Sequence, residues 1–279
     1  MKKLQTERRW KPVDVLLIAF LMLIAALVVF PYLLMLLSSF RTTSEMMRNP
    51  TVIWPIEWTL KGYIKVFTKT PFFKWFLNSL IITVSVTVGV LFTSTITGFV
   101  FAKFKFKGSE TLFWIILATM MVPAQVTMIP SFLVVNWLGL YNKLAALIVP
   151  ALVSAFGIFL CKQFIEEIPD SLCEAARIDG ASSMTIYLRI ILPQIRPAIG
   201  ALAIFTFLGT WNDYLGPLIM LSDTDRMTLP LALTFFNTNH STDLGATMAA
   251  AALVMMPVTI VFLAFQKQFI KGISIAGMK

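Results

Sequence analysis

Two groups of ionisable residues in this sequence could do chemistry. The first is the segment Cys173–Ala181, which reads Cys-Glu-Ala-Ala-Arg-Ile-Asp-Gly-Ala and places charge inside an otherwise apolar chain. The second is Asp213, an isolated carboxylate within an apolar run, flanked by Trp211, Asn212 and Tyr214. A polar helix in such a chain can dock a partner protein. A carboxylate and an amide beside aromatic rings suit a sugar, whose hydroxyls bond and whose C–H faces stack.

Asp213 has two interpretations. An acid inside a membrane span is costly and usually faces a cavity or a partner group, so Asp213 is a candidate for a solute path. Alternatively, it lies near the outer end of its span, pairs with a neighbouring helix and only shapes that region. Gly216-Pro217 predicts a distorted helix directly afterwards. Gln125, within the stretch Pro123–Pro130, is a further path candidate because prolines free backbone carbonyls; packing is the alternative role.

The sequence lacks the motifs with which a chain would hydrolyse ATP or hold a metal ion. The string Gly272–Met278 has two glycines at phosphate-loop spacing, but Met278 stands where the lysine belongs. The two cysteines, Cys161 and Cys173, are expected to be ordinary small apolar residues. The single histidine, His240, is expected to be a solvated loop residue. We therefore expect no enzyme active site, no metal and no cofactor in this chain.

Composition places the chain in a membrane. Of 279 residues, 58% are hydrophobic and 13% charged, with a mean hydropathy of +0.82, whereas about 25% of residues are charged in a typical soluble domain. Because a helix needs about 20 apolar residues to cross a bilayer, six spans and an all-α fold are predicted. The six runs are Val15–Phe40, Trp75–Ala102, Thr111–Asn142, Leu144–Cys161, Pro197–Leu221 and Leu244–Gln266.

Lysine and arginine set the expected orientation, since they accumulate in cytoplasmic loops. With both termini inside, fifteen of the 23 basic residues are cytoplasmic and eight are outside. This arrangement accounts for the net charge of +9 without a nucleic-acid partner. The predicted segments are a cytoplasmic start 1–14, a first transmembrane helix 15–40, an extracytoplasmic loop 41–74, a five-helix core 75–266 that contains a cytoplasmic loop 162–196, and a cytoplasmic tail 267–279.

The loop 162–196 is predicted to begin with a short capped helix. Ser171 and Glu174 match a capping box, in which the hydroxyl and the carboxylate each bond to the backbone of the other residue. Leu172–Ile178 would then form about two turns. Gly180 is expected to stop this helix in a left-handed conformation, which costs glycine little.

A second helix is predicted to follow the glycine. Ser182 or Ser183 would begin it, and Pro193 would end or bend it because proline cannot continue the hydrogen-bond ladder. In the first helix, the small side chains of Ala175 and Ala176 would let the surface of a partner protein approach the backbone closely.

The order of these motifs resembles a known family. Glu174-Ala175-Ala176, Asp179-Gly180-Ala181 and Ile191-Leu192-Pro193, placed between two spans, resemble the EAA loop of the permease subunits of binding-protein-dependent ABC importers. Trp211-Asn212-Asp213, the ending Gln266–Gly272 and Ala276-Gly277 are similar to the carbohydrate branch, in particular the six-span maltose-type permeases. The resemblance implies the type I importer transmembrane fold in a cell membrane.

The resemblance also implies partners and residue roles. In that family the loop docks in a groove of a separate ATPase, so Glu174 would make a charged contact, Ala175 and Ala176 would allow close approach, and Gly180 would hold the turn. Asp179 would cap or bond beside it, and Pro193 belongs to the same coupling motif. The implied partners are a second permease subunit in a heterodimer, two subunits that bind ATP and Mg, an extracytoplasmic solute-binding protein and a sugar.

Other functions fit the sequence less well. Related permeases carry a polyamine, phosphate or another non-sugar solute, so the substrate class depends on Trp211–Asp213 and the C-terminal segment. A secondary transporter would need several ionisable residues within its spans and an internal repeat. A membrane scaffold would explain the spans but not the polar loop.

Overall fold

The structure is a computed structural model, and it describes residues 12–238 and 241–276. The regular secondary structure of the described residues is helical apart from one pair of two-residue strands, which confirms the all-α class. Most of the cytoplasmic start (residues 1–11), His240 and the last three residues of the tail lie outside the described residues. The chain divides into two compact units, residues 1–69 with 236–252 and residues 70–235 with 253–279.

The described residues form fifteen α-helices. They are α1 (Pro12–Ser38), α2 (Thr43–Arg48), α3 (Lys61–Lys69), α4 (Phe72–Lys103), α5 (Ser109–Thr119), α6 (Ala124–Trp137), α7 (Ala145–Ala151), α8 (Ala155–Glu166), α9 (Asp170–Ile178), α10 (Ser183–Ile186), α11 (Leu192–Gln194), α12 (Arg196–Trp211), α13 (Leu215–Met220), α14 (Leu229–Ala232) and α15 (Leu244–Ala276). A π-helix covers Tyr187–Ile191, and 3₁₀ turns cover Thr224–Arg226 and Leu233–Phe236. Strands β1 (Asn237–Thr238) and β2 (Ser241–Thr242) pair antiparallel.

In the first unit, a buried arginine organises the segment after α1. The side chain of Arg41 is only 3% exposed and forms an ion pair with Glu45, with 2.8 Å between Nε and Oε1. Its other nitrogens donate to the carbonyls of Val52 and Asn49 at 2.6 and 2.9 Å. Thr42 caps α2 by accepting from the Glu45 amide. Each of the three guanidinium nitrogens therefore donates to an acceptor, as a buried cation requires.

Asp243 anchors the start of α15 in the same unit. Its Oδ1 accepts from the Ala246 amide at 3.1 Å and from the Thr43 hydroxyl at 2.7 Å. Its other oxygen pairs with Lys65. A carboxylate at a helix N-terminus satisfies free amides and interacts favourably with the helix dipole. These contacts connect α2, α3 and α15.

In the second unit, α4 packs along α8 and α12, and their facing residues form the core. Gly98 permits α4 to approach α8 closely. A Cβ at this position would lie 2.8 Å from Cys161 Cβ and 2.9 Å from the backbone nitrogen of Lys162. Cys161 and Cys173 are both free and buried, as expected from the sequence. The rest of the buried core includes Ile82, Val86, Ile165, Ile191 and Leu202.

Among the described residues, four helical stretches are long and apolar enough to cross a membrane, and two bent helix pairs bring the number to as many as six. The predicted third run, 111–142, is divided by a bend of 100° between α5 and α6. Pro123 causes the break because its own backbone is extended and it lacks an N–H. Pro130 does not break the helix, since α6 continues through it.

Candidate functional site

The predicted glycine stop of α9 is confirmed. Gly180 has a φ of 81°, and its amide donates to the Arg177 carbonyl at 3.0 Å. The Ala181 amide donates to the Ala176 carbonyl at 2.9 Å. This pair of bonds is a Schellman motif, which satisfies the last free carbonyls of the helix. Asp179 is the C-cap residue immediately before the glycine.

The predicted N-terminus of α9 is wrong by two residues, and the helix begins without the predicted side-chain cap. The helix begins at Asp170, after Pro169, and no side chain caps it. Ser171 therefore lies within the helix, and the expected Ser171–Glu174 capping box does not form. The physical reason is that Pro169 already provides an extended entry to the helix, while Asp170 bonds to a lysine of another helix.

Lys103 fixes the start of α9 to the end of α4. The side chain is 5% exposed, and its Nζ donates to Asp170 Oδ1 and to the Ile168 carbonyl, both at 2.6 Å. The hydrogen bond and the charge of Lys103 lower the pKa of Asp170 below its usual value. This role of Lys103 was not predicted; the only expectation for the residue was a cytoplasmic position.

The two faces of α9 differ. Cys173 is buried and Ala176 is half-buried against the core, so this face belongs to the chain's own packing. Glu174, Ala175 and Arg177 are exposed. Ile178 is 87% exposed. The exposed face of α9 thus combines charge, a small residue and an apolar side chain.

The segment after Gly180 forms a second, bent helix. Ser182 caps α10 by accepting from the Thr185 amide at 3.2 Å, as predicted. The backbone then widens into the π-helix Tyr187–Ile191 before Pro193. The wider turn accommodates the proline ring, which would otherwise clash with the carbonyl four residues earlier. The helical stretch Ser183–Gln194 meets α12 at 77°, so the prediction that Pro193 ends or bends this helix is confirmed.

Two cavities adjoin the predicted solute-path residues. The first, called here the Asp213 cavity, has a volume of about 200 Å³ and is lined by Ile82, Leu147, Ala151, Gly209, Thr210, Asp213, Pro217 and Thr228. The second, the Ser154 groove, has a volume of about 350 Å³ and is lined by Val86, Val90, Ala151, Val153, Ser154, Phe156, Leu202, Phe205, Thr206, Gly209 and Thr210. Because Ala151, Gly209 and Thr210 line both, the two spaces adjoin.

Of the predicted path residues, Asp213 is the one that lines this cavity. Its Oδ1 accepts from the Gly216 amide at 3.2 Å. A side chain at Gly216 would collide with the other carboxylate oxygen. The chain leaves helical geometry at Asn212–Tyr214, so the predicted distortion around Gly216-Pro217 is confirmed. The carboxylate thus has a structural contact and also faces a cavity.

The other predicted path residues lie elsewhere. Trp211 is 1% exposed, stacks on Phe207 at 5.8 Å and donates to the Val254 carbonyl at 3.1 Å, so it packs inside the chain and offers no free aromatic face. Asn212 is exposed, and its amide nitrogen donates to the Leu208 carbonyl. Tyr214 and Gln125 are also exposed, and neither lines the Asp213 cavity or the Ser154 groove.

The fold and these sites define a helical membrane component that presents a polar helix between its spans. Residues 94–275, more than half of the chain, match the family described as "Binding-protein-dependent transport system inner membrane component". The chain belongs to this family. It is a multi-pass permease subunit of a binding-protein-dependent ABC transporter in the inner membrane.

Individual relatives are similar over most of the chain. The arabinooligosaccharides transport system permease protein AraQ of Halalkalibacterium halodurans is 36% identical and covers 92% of this chain and 93% of its own. The diacetylchitobiose uptake system permease protein NgcG of Streptomyces coelicolor is 32% identical over 92% of this chain and 86% of its own. The sn-glycerol-3-phosphate transport system permease protein UgpE of Salmonella typhi is 36% identical over 73% of each chain.

A solved structure shares the fold. A chain of a bacterial ABC transporter involved in the import of the acidic polysaccharide alginate superposes with a TM-score of 0.84, covering 93% of this chain and 99% of that chain. Its sequence identity is 23%, so this likeness concerns the fold.

Proposed function

We propose that this chain is one permease subunit of an ATP-driven importer for a di- or oligosaccharide. The exposed face of α9 carries the proposal, because it stays outside the packing while the opposite face is anchored in the core. On this proposal, Glu174 and Ala175 contact a separate ATP-binding subunit, and the Schellman turn at Gly180 sets the shape of the helix. Binding of ATP by that partner would bias the permease between two packed arrangements.

The proposal includes the remaining partners. A second, different permease chain would complete the translocation pathway, and two ATP-binding subunits would supply hydrolysis with bound Mg. An extracytoplasmic binding protein would deliver the sugar. The names of the relatives AraQ and NgcG support a saccharide, whereas the name of UgpE favours sn-glycerol 3-phosphate as a second candidate.

The orientation belongs to the same proposal: the start 1–14, the loop 162–196 and the tail 267–279 are cytoplasmic, and the loop 41–74 is extracytoplasmic. Single cysteines test it. In a background with both native cysteines replaced, Ile178→Cys and Trp54→Cys place thiols at sites that are 87% and 63% exposed. A membrane-impermeant maleimide added to intact spheroplasts should label the cysteine at 54 and spare the one at 178. The reverse pattern would contradict the orientation.

Uptake by the complete complex tests the substrate class. The permease pair, the ATP-binding subunits and the binding protein are reconstituted in proteoliposomes and offered arabinotriose, diacetylchitobiose, a panel of other di- and trisaccharides, and sn-glycerol 3-phosphate. We expect ATP-dependent uptake of at least one saccharide. Uptake of sn-glycerol 3-phosphate without uptake of any saccharide would overturn the sugar assignment.

A further inference from the structure

Thr228 carries a buried polar group that its own helix does not use. The residue is 5% exposed, and among the described residues its hydroxyl has no hydrogen-bond partner. Thr228 is the N-cap residue of α14, a position where a threonine normally accepts from the helix backbone. Here the Thr228 side chain makes no cap hydrogen bond. Pro230, the second residue of α14, has no N–H to donate, and the Leu229 amide donates to Ser79 Oγ at 2.8 Å. The Thr228 hydroxyl is thus free to form a hydrogen bond with a group outside α14.

Thr228 is one of the residues that line the Asp213 cavity. Burying a hydroxyl without a partner is unfavourable, so the site gains when a polar ligand enters. The cavity also contains the Asp213 carboxylate, an acceptor, and Thr210, which has a hydroxyl. Its volume of about 200 Å³ exceeds several times the roughly 30 Å³ that one water occupies in the liquid. A larger polar group than a single water therefore fits.

The lining of the cavity selects the chemistry of that group. None of its eight residues is basic, so the Asp213 carboxylate disfavours an anion such as a phosphate ester. Ile82, Leu147 and Pro217 provide apolar walls for C–H groups. A neutral polyol matches both properties, because its hydroxyls can donate to the carboxylate and accept from the threonine.

We propose that the Asp213 cavity is a subsite for one ring of a neutral saccharide, with Asp213 and Thr228 as its polar binding residues. The inference rests on the proposed import function and assigns the substrate class of that function within this chain. The subsite continues into the Ser154 groove through Gly209 and Thr210, which line both spaces. A solute leaving the subsite would thus meet Ser154 and Thr206 next.

Matched hydroxyl deletions test the subsite in the complete reconstituted importer. Thr228→Val removes the hydroxyl and keeps the β-branched shape, whereas Thr228→Ser keeps the hydroxyl. Thr83→Val is the control, because the Thr83 hydroxyl is equally buried and unpartnered among the described residues but lies outside the lining of either cavity. For the saccharide that the wild type takes up, we expect Thr228→Val to raise KM roughly tenfold. Thr228→Ser and Thr83→Val should remain near the wild type.

Deoxy analogues of the same saccharide give a second measurement that does not depend on folding of a variant. With the wild-type complex, at least one monodeoxy analogue should show a similar rise in KM, and Thr228→Val should not add to it. The subsite is overturned if Thr228→Val and Thr83→Val behave alike, or if every monodeoxy analogue matches the parent sugar. Those results leave sugar import standing, whereas absence of any saccharide uptake by the wild type overturns the function itself.

Discussion

Lys103, the last residue of α4, and Asp170, the first residue of α9, form an ion pair with 2.6 Å between Nζ and Oδ1. Each charge has the sign that its helix terminus favours, positive at a C-terminus and negative at an N-terminus. Lys103 also donates to the Ile168 carbonyl, just before α9. Because α4 packs along α8 and α12, the pair joins the proposed coupling helix to the centre of the second unit.

Replacing Lys103 should weaken the coupling of hydrolysis to uptake. Lys103→Met removes both hydrogen bonds while keeping most of the apolar stem, so α9 loses its fixed connection to α4. We expect the amount of sugar imported per ATP hydrolysed to fall severalfold in the reconstituted importer. The measurement is parallel uptake and phosphate release from the same proteoliposomes.

Lys103→Arg and Asp170→Asn are the controls for that prediction. Arginine can still donate to both oxygens, so it should restore much of the ratio. Asp170→Asn removes the charge but leaves the bond from Lys103 to Ile168, and its effect should be intermediate. An unchanged import ratio in Lys103→Met, with normal complex yield, would show that Lys103 does not position the coupling helix.

The stability contributed by Asp243 should depend on pH. Burial raises the pKa of this carboxyl, but bonds from Lys65, the Ala246 amide and Thr43 outweigh it, and the net pKa lies below the usual value, which is about 3.9. A lowered folded-state pKa stabilises the protein above the usual value, and the contribution is lost as the pH falls through the folded value. Thermal unfolding of wild type and Asp243→Asn in detergent should therefore differ above about pH 4.

The expected difference is about 1 kcal/mol at most, because the ion pair is partly solvated. The difference should shrink as the pH falls below about 4 and vanish below the lowered pKa of Asp243, where both side chains are neutral. A constant difference from pH 3 to pH 8 would mean that Asp243 acts through shape and not through its charge.

Gly180→Ala should impair coupling through backbone strain. With φ at 81°, a Cβ at this position would have no atom within 4 Å, so crowding plays no part. The left-handed conformation costs a non-glycine residue roughly 1–2 kcal/mol. Gly108, with a φ of 87° and an equally open position, is a matched control outside α9. Both variants should lose similar stability, but only Gly180→Ala should reduce import per ATP; equal ratios would remove the turn from the coupling mechanism.

The α4–α8 contact should be sensitive to a single methyl group. Gly98→Ala would place a Cβ against Cys161 and Lys162, at a cost of about 1–3 kcal/mol from overpacking. Gly209→Ala adds the same group within α12, where nothing lies within 4 Å, and should be neutral or stabilising by up to about 1 kcal/mol. Melting temperatures of the purified complexes measure both. Equal melting temperatures would contradict the close packing of these helices.

The features that were predictable from sequence depend on local chemistry alone. Gly180 was predictable because few residues other than glycine adopt a left-handed conformation readily, and the bend at Pro193 follows from the missing N–H. The predicted cap at Ser171 is wrong because α9 begins earlier, at Asp170. Asp170 bonds to Lys103, which lies 67 residues away in sequence, so the local pattern could not indicate this contact.

The residues around the Asp213 cavity were predictable only in part for the same reason. Asp213 stood out because it is an acid within an apolar run, and it does line a cavity. The sequence around Trp211 is apolar, which fits a tryptophan that faces a cavity as well as one that packs in the core. Its burial could therefore not be predicted from the sequence. Thr228 was not predicted, because its position beside the cavity depends on residues of other helices that line the same space.

Charge reversal at Glu174 tests whether α9 couples this permease to its ATP-binding subunits, with uptake of sugar and retention of those subunits measured on the same complexes. Glu174 is exposed on α9, and Glu110→Lys reverses an exposed charge on α5 as the control. We expect Glu174→Lys to insert normally but to lose both uptake and co-purification of the ATP-binding subunits, while Glu110→Lys keeps both. Wild-type uptake together with full retention of the ATP-binding subunits in Glu174→Lys would contradict this expectation.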